Sequence, residues 1–478
     1  MEKKLGLFPM VASILAGMIG SGVYDIAYQL GSVASPGGAI VAWATCFVGM
    51  LMFIMSLQNL LDKEPDGDGM YIYARRLAGP LGEFMSGWGY WLSGWIGNIA
   101  FATMMMIALG TFFPVLGDTG TSWPSIAIAS VVMWGIFLLI NRGVENAMVV
   151  NAALTVLKVV PLLLFFVVTV TSFSLGVFTK DFWTNFAGNA AAAGTGFDLG
   201  SVFSQATNSM LSIIWLFMGV EAAALMSGRA KSKAIASRAS ILGLVTGTVV
   251  LFIISMLPYG IMPADEFVAL GEPSVGQMLV QFIGPIGASL VQAATILSIF
   301  GCWISYTLMP TESTQILSEH GLLPARWAKR NKQGVATYSL FLTTLLCQVM
   351  LFSMHFTEDA YNFGFSLSGS AILVTWTFIV LYNFVRAVKN PHREEPGSLK
   401  SIVVGAVGTA YMLYAMFISG FVYILLLCAP FAVGFVFYYQ ARKQAGVEKV
   451  FNGAEKVAVA VVIAIAAVGI FAYATGLV

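Results

Sequence analysis

Apolar positions fall in runs of about twenty residues that recur along the whole chain, separated by short polar stretches. A helix needs about that length to cross the hydrocarbon core of a bilayer. The pattern predicts about thirteen spans, roughly at 7–31, 38–61, 82–113, 124–141, 148–172, 201–227, 236–262, 281–316, 336–355, 361–387, 401–418, 420–440 and 456–476. Ten-residue stretches of strict alternation, the mark of a membrane barrel, do not occur. The expected fold class is therefore an all-α polytopic membrane protein. The apolar stretch near the N-terminus runs on to about Gly31, too long for the core of a cleaved leader, and reads as the first span.

Two of the runs are interrupted in the middle. The first carries "MIGSGVYD", residues 18–25, where Gly20, Ser21 and Gly22 are poor helix formers and Asp25 follows. The sixth carries "WLFMGVEAA", residues 215–223, with Gly219 two residues before Glu221. Spans 1–5 and 6–10 then form two halves that start on opposite faces of the membrane. Matching interruptions in two such halves point to the binding site of a secondary transporter.

The physical reason is direct. A broken helix leaves backbone groups unpaired at membrane depth, which is tolerated only where they line a cavity or find other partners. The N–H groups at a half-helix start favour an anion, and the C=O groups ending the preceding half favour a cation. A zwitterionic amino acid carries both charges a short distance apart. Glycine also lets a ligand approach the backbone closely. The competing reading is that these glycines serve helix packing, as small residues do in membranes. A phosphate-binding loop would need a preceding strand, which the pattern lacks.

Charge supports the span count. Only 10% of residues are charged, against about 25% in soluble proteins. With the N-terminus in the cytoplasm, every one of the 24 basic residues except Lys158 and Lys180 falls in an inside segment. Asp118, Asp181, Asp198, Asp265, Glu266, Glu272, Glu358 and Asp359 fall outside. That asymmetry is the positive-inside rule, and a wrong count would scramble it. The net charge of +1 gives no sign of nucleic acid binding, and topology alone accounts for the basic loops. The longest outside connection, about 173–200, is rich in glycine and alanine and too short for a separate domain. The lipid bilayer and small-molecule substrates are the expected partners.

Cys46, Cys302, Cys347 and Cys428 lie in apolar runs without CxxC spacing and read as small packing residues. His320, His355 and His392 are scattered at loops, so no metal site is expected. No HExxH or GxSxG motif and no convergent acid–base pair is present, so neither an enzyme nor a cofactor is expected.

Ionisable residues at membrane depth are costly and usually functional. Asp25, Lys158, Glu221 and Glu312 qualify, while Glu83 reads as interfacial at the start of span 3. Lys158, in "TVLKVVPLLLFF", fits three roles: a titrating group that couples transport to protons, a fixed cation, or a side chain that snorkels to the interface. Glu312 reads as a cap at the cytoplasmic end of span 8. Asp25 fits an outer vestibule, but the pattern gives it no definite role. Trp215 beside the second interruption, Tyr90, Trp91 and Trp95 in "YWLSGWIGN", and Trp303 and Tyr306 in "CWISYTL" fit either gates or the usual belt and packing roles of membrane aromatics.

"MIGSGVY", "GWGYWLSGWIGNIA", "WLFMGVEAA", "MSGRAKSK" and "EHGLLPARW", in that order, resemble the basic amino acid/polyamine antiporters of the amino acid–polyamine–organocation superfamily. The likeness covers about residues 5–440 and is nearest to the arginine/ornithine type, with the arginine/agmatine type more distant. It implies a five-plus-five inverted-repeat (LeuT-type) fold with discontinuous helices 1 and 6. It implies a transport core over 1–390, with spans 11–13 in 391–478. The last span, after Phe451, resembles an extension of the arginine/ornithine type.

Carried over by position, the backbone at Ser21 and Gly22 receives a substrate carboxylate, and carbonyls of Met18, Trp215 and Met218 receive the α-ammonium. Ser93, Gly94 and Asn98 line the side-chain end of the pocket. Tyr90, Trp215 and Tyr306 match gating aromatics, Glu221 an acid tied to pH sensing, and Lys158 a lysine standing where sodium-coupled relatives bind sodium. Met18, Gly94 and Tyr306 depart from the arginine/agmatine pattern, which leaves the substrate pair open among arginine/ornithine, histidine/histamine, tyrosine/tyramine and lysine/cadaverine. The expected activity is amino acid antiport by alternating access, with a proton-coupled symporter as the rival and a channel or receptor as a further class. The resemblance implies a bacterial inner membrane and a possible homodimer.

Overall fold

Glycines and prolines inside the apolar runs decide where the helices stop. The computed structural model describes residues 6–64, 70–184, 196–221, 230–357, 359–389 and 398–475. Helices are α1 (Leu7–Met18), α2 (Ile26–Gly31), α3 (Pro36–Lys63), α4 (Tyr71–Gly110), α5 (Trp123–Asn141), α6 (Val144–Ser172), α7 (Leu175–Lys180) and α8 (Leu199–Phe217). They continue with α9 (Lys233–Met256), α10 (Ala264–Ala269), α11 (Ser274–Glu319), α12 (Thr337–Ser353) and α13 (Ala360–Lys389). The last are α14 (Ser398–Ile418), α15 (Phe421–Gln444) and α16 (Gly453–Ala474). Among the described residues, 10 helices are long and apolar enough to cross a membrane.

Among the described residues helix falls within each expected span, and the boundaries differ where backbone chemistry intervenes. Span 3 is expected at 82–113, and ahead of it a helical segment from Tyr71 is parted from the spanning helix at Ala78 and Gly79, both non-helical, with Gly79 at φ 69° just before Pro80. A proline ring clashes with a helical residue before it, and glycine takes the positive φ without steric cost. Span 8, expected from 281, is likewise preceded by a helical segment from Ser274, parted from it at Gly284 (φ 70°) before Pro285. The close pair after Ser401 is two helices, parted at Gly420 (φ 100°).

The chain divides into two compact units. The first comprises Met1–Ile54, Phe101–Ile126 and Val150–Cys302. Here α1 runs along α9 through a glycine face. A Cβ on Gly243 would sit 2.5 Å from Ile14 Cδ1, and one on Gly247 would sit 2.6 Å from Met18 Sδ. Ile14 and Met18 are one turn apart on α1 and fill these spaces, the small-residue packing that substitutes for hydrophobic driving force in lipid. Polar ties add direction: Trp43 Nε1 donates to Ser255 Oγ at 3.0 Å, and Tyr259 OH donates to the Ala34 carbonyl at 2.8 Å.

The second unit comprises Met55–Ala100, Ala127–Val149 and Trp303–Val478. Its α13 and α14 meet where a Cβ on Gly405 would sit 2.7 Å from Phe384 Cα, so only glycine fits. Buried Asn383 joins this unit's helices, donating to Ser56 Oγ and the Ser401 carbonyl, both at 3.2 Å. Glu83, expected at the interface, is fully buried within the protein, where its carboxylate accepts from Arg75 at 2.9 Å and meets His320 Nδ1 at 2.5 Å, so these two side chains satisfy it. Glu312 is exposed.

Candidate functional site

In the first unit the predicted interruption of span 1 is a true break. Helix α1 ends at Met18, a single 3₁₀ turn covers Gly22–Tyr24, and α2 starts at Ile26. The amides of Ile19, Gly20, Tyr24 and Asp25 bond to nearby carbonyls. Those of Ser21, Gly22 and Val23 have no backbone or side-chain acceptor among the described residues. All three residues are buried, and the buried Ser21 Oγ also lacks a partner. Buried donors are almost always paired, so four unpaired ones in three consecutive residues form a concentrated donor surface. One carboxylate has the lone pairs to accept from several of them.

The sixth span breaks at the matching place. Helix α8 stops at Phe217, Met218 is extended (φ −62°, ψ 131°), and Gly219 takes φ 100°. Glu221 Oε2 accepts from the Gly219 amide at 3.2 Å, so the acid caps a donor that the break released. The continuation of span 6, residues 222–229, lies outside the described residues.

The two breaks touch at glycine. A Cβ on Gly219 would lie 2.9 Å from the Gly17 Cα and carbonyl carbon, and one on Gly17 would lie 3.2 Å from Gly219 Cα. One turn further on, a Cβ on Gly22 would lie 2.7 Å from Trp215 Cδ1. The Trp215 indole thus rests directly on the span-1 break, with Phe101 on it at 5.8 Å between ring centroids. Packing and opening are therefore not alternatives for these glycines: Gly17, Gly22 and Gly219 allow the contact that holds the break.

Of the carbonyls assigned to the α-ammonium, that of Met18 accepts from Gly20 N at 3.0 Å and that of Trp215 from Met218 N at 3.2 Å. The Met18 carbonyl keeps a second lone pair. The Met18 side chain is packed on Gly247, so its carbonyl is what it offers the break. Lys158 lies on α6, and its side chain is outside what the structure describes.

Asp25 gains a role that the sequence did not give it. It is fully buried, and its carboxylate accepts from the Ser274 amide at 3.4 Å and from Gln29 Nε2 at 2.9 Å. Ser274 opens α11, where the helix dipole favours a negative charge. Tyr24 adds two ties: its OH donates to Ser298 Oγ at 2.8 Å, and its carbonyl accepts from Ser274 Oγ at 3.2 Å. Asp25 and Tyr24 anchor the C-terminal side of the break to α11.

In the second unit, α4 carries Tyr90, Ser93, Gly94 and Asn98. Ser93 Oγ lies 3.3 Å from Ser368 Oγ, and Ser368 donates to the Ser93 carbonyl at 2.6 Å. A Cβ on Gly94 would sit 2.2 Å from Pro310 Cγ, so that space is taken by α11. Tyr90 is buried with its OH 4.0 Å from Met309 Sδ, while Tyr306 is half-buried.

Asn98 is the informative one. Thr307 Oγ1 donates to the Trp303 carbonyl at 2.8 Å, and the Cys347 thiol donates to the Trp95 carbonyl at 3.2 Å. With those hydrogens committed, both groups can only accept from Asn98. The amide therefore turns Nδ2 to them, at 3.2 Å from Thr307 Oγ1 and 3.9 Å from Cys347 Sγ. Oδ1 is left buried with no donor among the described residues. Sequence reasoning missed Thr307 and took Cys347 for packing. The available signal was their placement in spans 8 and 9, which becomes meaningful only once helices align them with Asn98.

Among the described residues, no group of three or more His, Cys, Asp or Glu side chains is arranged to hold a metal ion.

A family model described as amino acid permease matches residues 5–463. The chain belongs to the amino acid permease family. It is 35% identical to an arginine/ornithine antiporter of Latilactobacillus sakei, over 99% of this chain and 98% of that one. It is 37% identical to an arginine/ornithine antiporter of Lactococcus lactis subsp. cremoris, over 93% and 85%. An arginine/agmatine antiporter of Chlamydia caviae is 30% identical over 99% and 97%. In fold the chain is similar to a Na+-coupled sialic acid symporter in an outward-open state, with TM-score 0.55 and 12% identity over 87% of this chain and 90% of that one. This permease is thus a multi-pass, all-helical membrane protein of the inverted-repeat transporter fold, with helices 1 and 6 discontinuous.

Proposed function

We propose that the permease is an amino acid antiporter that exchanges external arginine for internal ornithine by alternating access. The observation that carries this reading is the donor surface at Ser21, Gly22 and Val23, three amides and a hydroxyl that are buried and unpaired. A substrate α-carboxylate satisfies them in the apolar surroundings, where an unpaired polar group costs most. The α-ammonium takes the carbonyls of Met18, Trp215 and Met218. The Trp215 indole gates the break on which it rests, and Tyr90 and Tyr306 are the gating aromatics of the second unit.

Asn98, assigned by resemblance to the side-chain end of the substrate, keeps an unpaired Oδ1, which supports a basic side chain there. An unpaired acceptor favours an ammonium or guanidinium and disfavours an acid. Ser93 and Gly94 flank it. Basic substrates are also what the relatives' names specify, with arginine/ornithine foremost. Glu221 and Lys158 are assigned to pH response and proton coupling. The permease core spans residues 1–390, with the remaining spans in 391–478 and about thirteen in all. The resemblance assigns the protein to a bacterial inner membrane, and the basic loops support a cytoplasmic N-terminus.

A thermal-shift screen of the purified protein against arginine, ornithine, agmatine, lysine, cadaverine, histidine, histamine, tyrosine and tyramine tests the substrate class. Ligands that bind the folded state raise its melting point. Arginine and ornithine are expected to do so, and stabilisation by tyrosine or tyramine alone would overturn the assignment. Counterflow in proteoliposomes tests the mode: uptake of labelled arginine should require internal ornithine and persist without a pH gradient. Uptake driven by a pH gradient into empty vesicles would instead identify a symporter.

A further inference from the structure

The second unit holds an open groove of about 550 Å³ that no transport role uses. It is lined by the end of α5, the start of α12 and the connection that precedes α12. Its three cations are Arg326, Lys329 and Arg330, all exposed, and its apolar lining includes Phe137 and Phe341. We propose that this groove binds an anionic phospholipid, with the phosphate on the cations and the acyl chains along the aromatics.

The floor is built rather than incidental. Asn331 Nδ2 donates to the Asn141 carbonyl at 2.9 Å and to its Oδ1 at 3.0 Å, and Thr337 Oγ1 donates to the same Oδ1 at 2.7 Å. These bonds tie the basic connection to the end of α5. The Arg326 guanidinium is held 4.8 Å above the Tyr338 ring. Arg330 contacts Glu319 at 3.1 Å, and both are about half exposed, so that pair is screened and weak. Lys329 makes no ion pair among the described residues. With three cations against Glu319, the groove remains positive.

The apolar side points to a lipid rather than a soluble anion. Trp134, Phe137 and Phe341 cluster in edge-on and tilted contacts with centroids 5.4, 5.9 and 6.3 Å apart, on two helices apolar enough to cross the membrane. Phe341 is 43% exposed. Cations in the connection before α12, beside the exposed Phe341 and the half-buried Trp134 and Phe137, match a lipid's charged head and tails. Basic pockets at the cytoplasmic ends of membrane helices recognise anionic headgroups in this way. Free phosphate has no use for the aromatic wall.

The test uses the full chain purified in detergent and then placed in phosphatidylcholine nanodiscs with or without phosphatidylglycerol. Native mass spectrometry reads retained lipid. The wild type should retain phosphatidylglycerol over phosphatidylcholine. Lys329→Gln and Arg330→Gln should each weaken retention roughly fivefold, the share expected of one basic residue near an anionic surface. Phe341→Gln should also weaken it, which a headgroup-only site would not predict. Inorganic phosphate and glycerol 3-phosphate at millimolar concentration should not displace the lipid. Equal retention by the Lys329→Gln/Arg330→Gln double variant would overturn the proposal, as would displacement by inorganic phosphate. Because these side chains are exposed, monodisperse elution of each variant suffices to exclude misfolding, and the readout does not depend on substrate exchange.

Discussion

Adding one methyl group at Gly219 should disable the permease more severely than its size suggests. In Gly219→Ala the new Cβ meets two penalties. Gly219 sits at φ 100°, where an L side chain collides with its own backbone at a cost of roughly 1–2 kcal/mol. The Cβ would also lie 2.9 Å from Gly17 Cα and carbonyl carbon, which are backbone atoms of a packed helix and cannot swing aside. Overpacking of that kind costs about 1–3 kcal/mol. Together the change is worth roughly 2–5 kcal/mol, against a typical total stability of about 5–15 kcal/mol.

Two controls grade the effect. Gly17→Ala has an ordinary φ and a 3.2 Å approach, which a small helix shift relieves, so about 1 kcal/mol is expected. Gly135→Ala, on exposed helix with nothing within 4 Å, should be neutral or slightly stabilising, because alanine is the better helix former. The assays are the midpoint of thermal inactivation in detergent and the initial rate of arginine counterflow in proteoliposomes. The order of damage should be Gly219, then Gly17, then Gly135. If Gly219→Ala matches Gly135→Ala in both assays, the breaks are not held together by glycine contact and the reasoning fails.

Three further outcomes follow from the site. Trp215→Ala removes the indole from Gly22 and Phe101 and should abolish exchange while leaving a protein that elutes as wild type and loses about 3–5 kcal/mol at most; Trp215→Phe should recover part of the rate, and full activity in the alanine variant would remove Trp215 from the gate. Glu221→Gln keeps an oxygen that can accept from the Gly219 amide but removes the charge, so stability should hold while the pH profile of exchange changes; an unchanged profile would end the sensor assignment. Cys347→Ala and Thr307→Val free the Asn98 amide to turn, and should raise the KM for arginine by roughly threefold to tenfold with kcat little changed, while Thr307→Ser stays near wild type; a uniform loss of kcat in all of them would mean packing rather than positioning.

The spans were legible because the rule behind them is local. A membrane helix satisfies its own backbone, so a run of apolar residues suffices to predict it, and the placement of Lys and Arg orders the runs across the bilayer. The two interruptions were legible for the same reason: glycine and serine weaken a helix wherever they stand. The helical segments that precede spans 3 and 8, from Tyr71 and Ser274, were not, because each is parted from its span at a glycine before a proline and is too short to cross a membrane alone.

What the sequence by itself determined is therefore the helical membrane class, the pair of broken spans and the candidates Ser21, Gly22, Trp215 and Glu221. What only the tertiary structure decided is how these groups are used. That Gly17 meets Gly219, that Trp215 rests on Gly22, that Asp25 anchors to Ser274 rather than facing open water, and that Cys347 and Thr307 leave Asn98 with a free acceptor all depend on contacts between residues far apart in the chain. A composition or a period records what one residue needs, but the partner that meets that need is set by helix packing, and hydrogen-bond polarity is fixed only when every neighbour's hydrogen has been assigned.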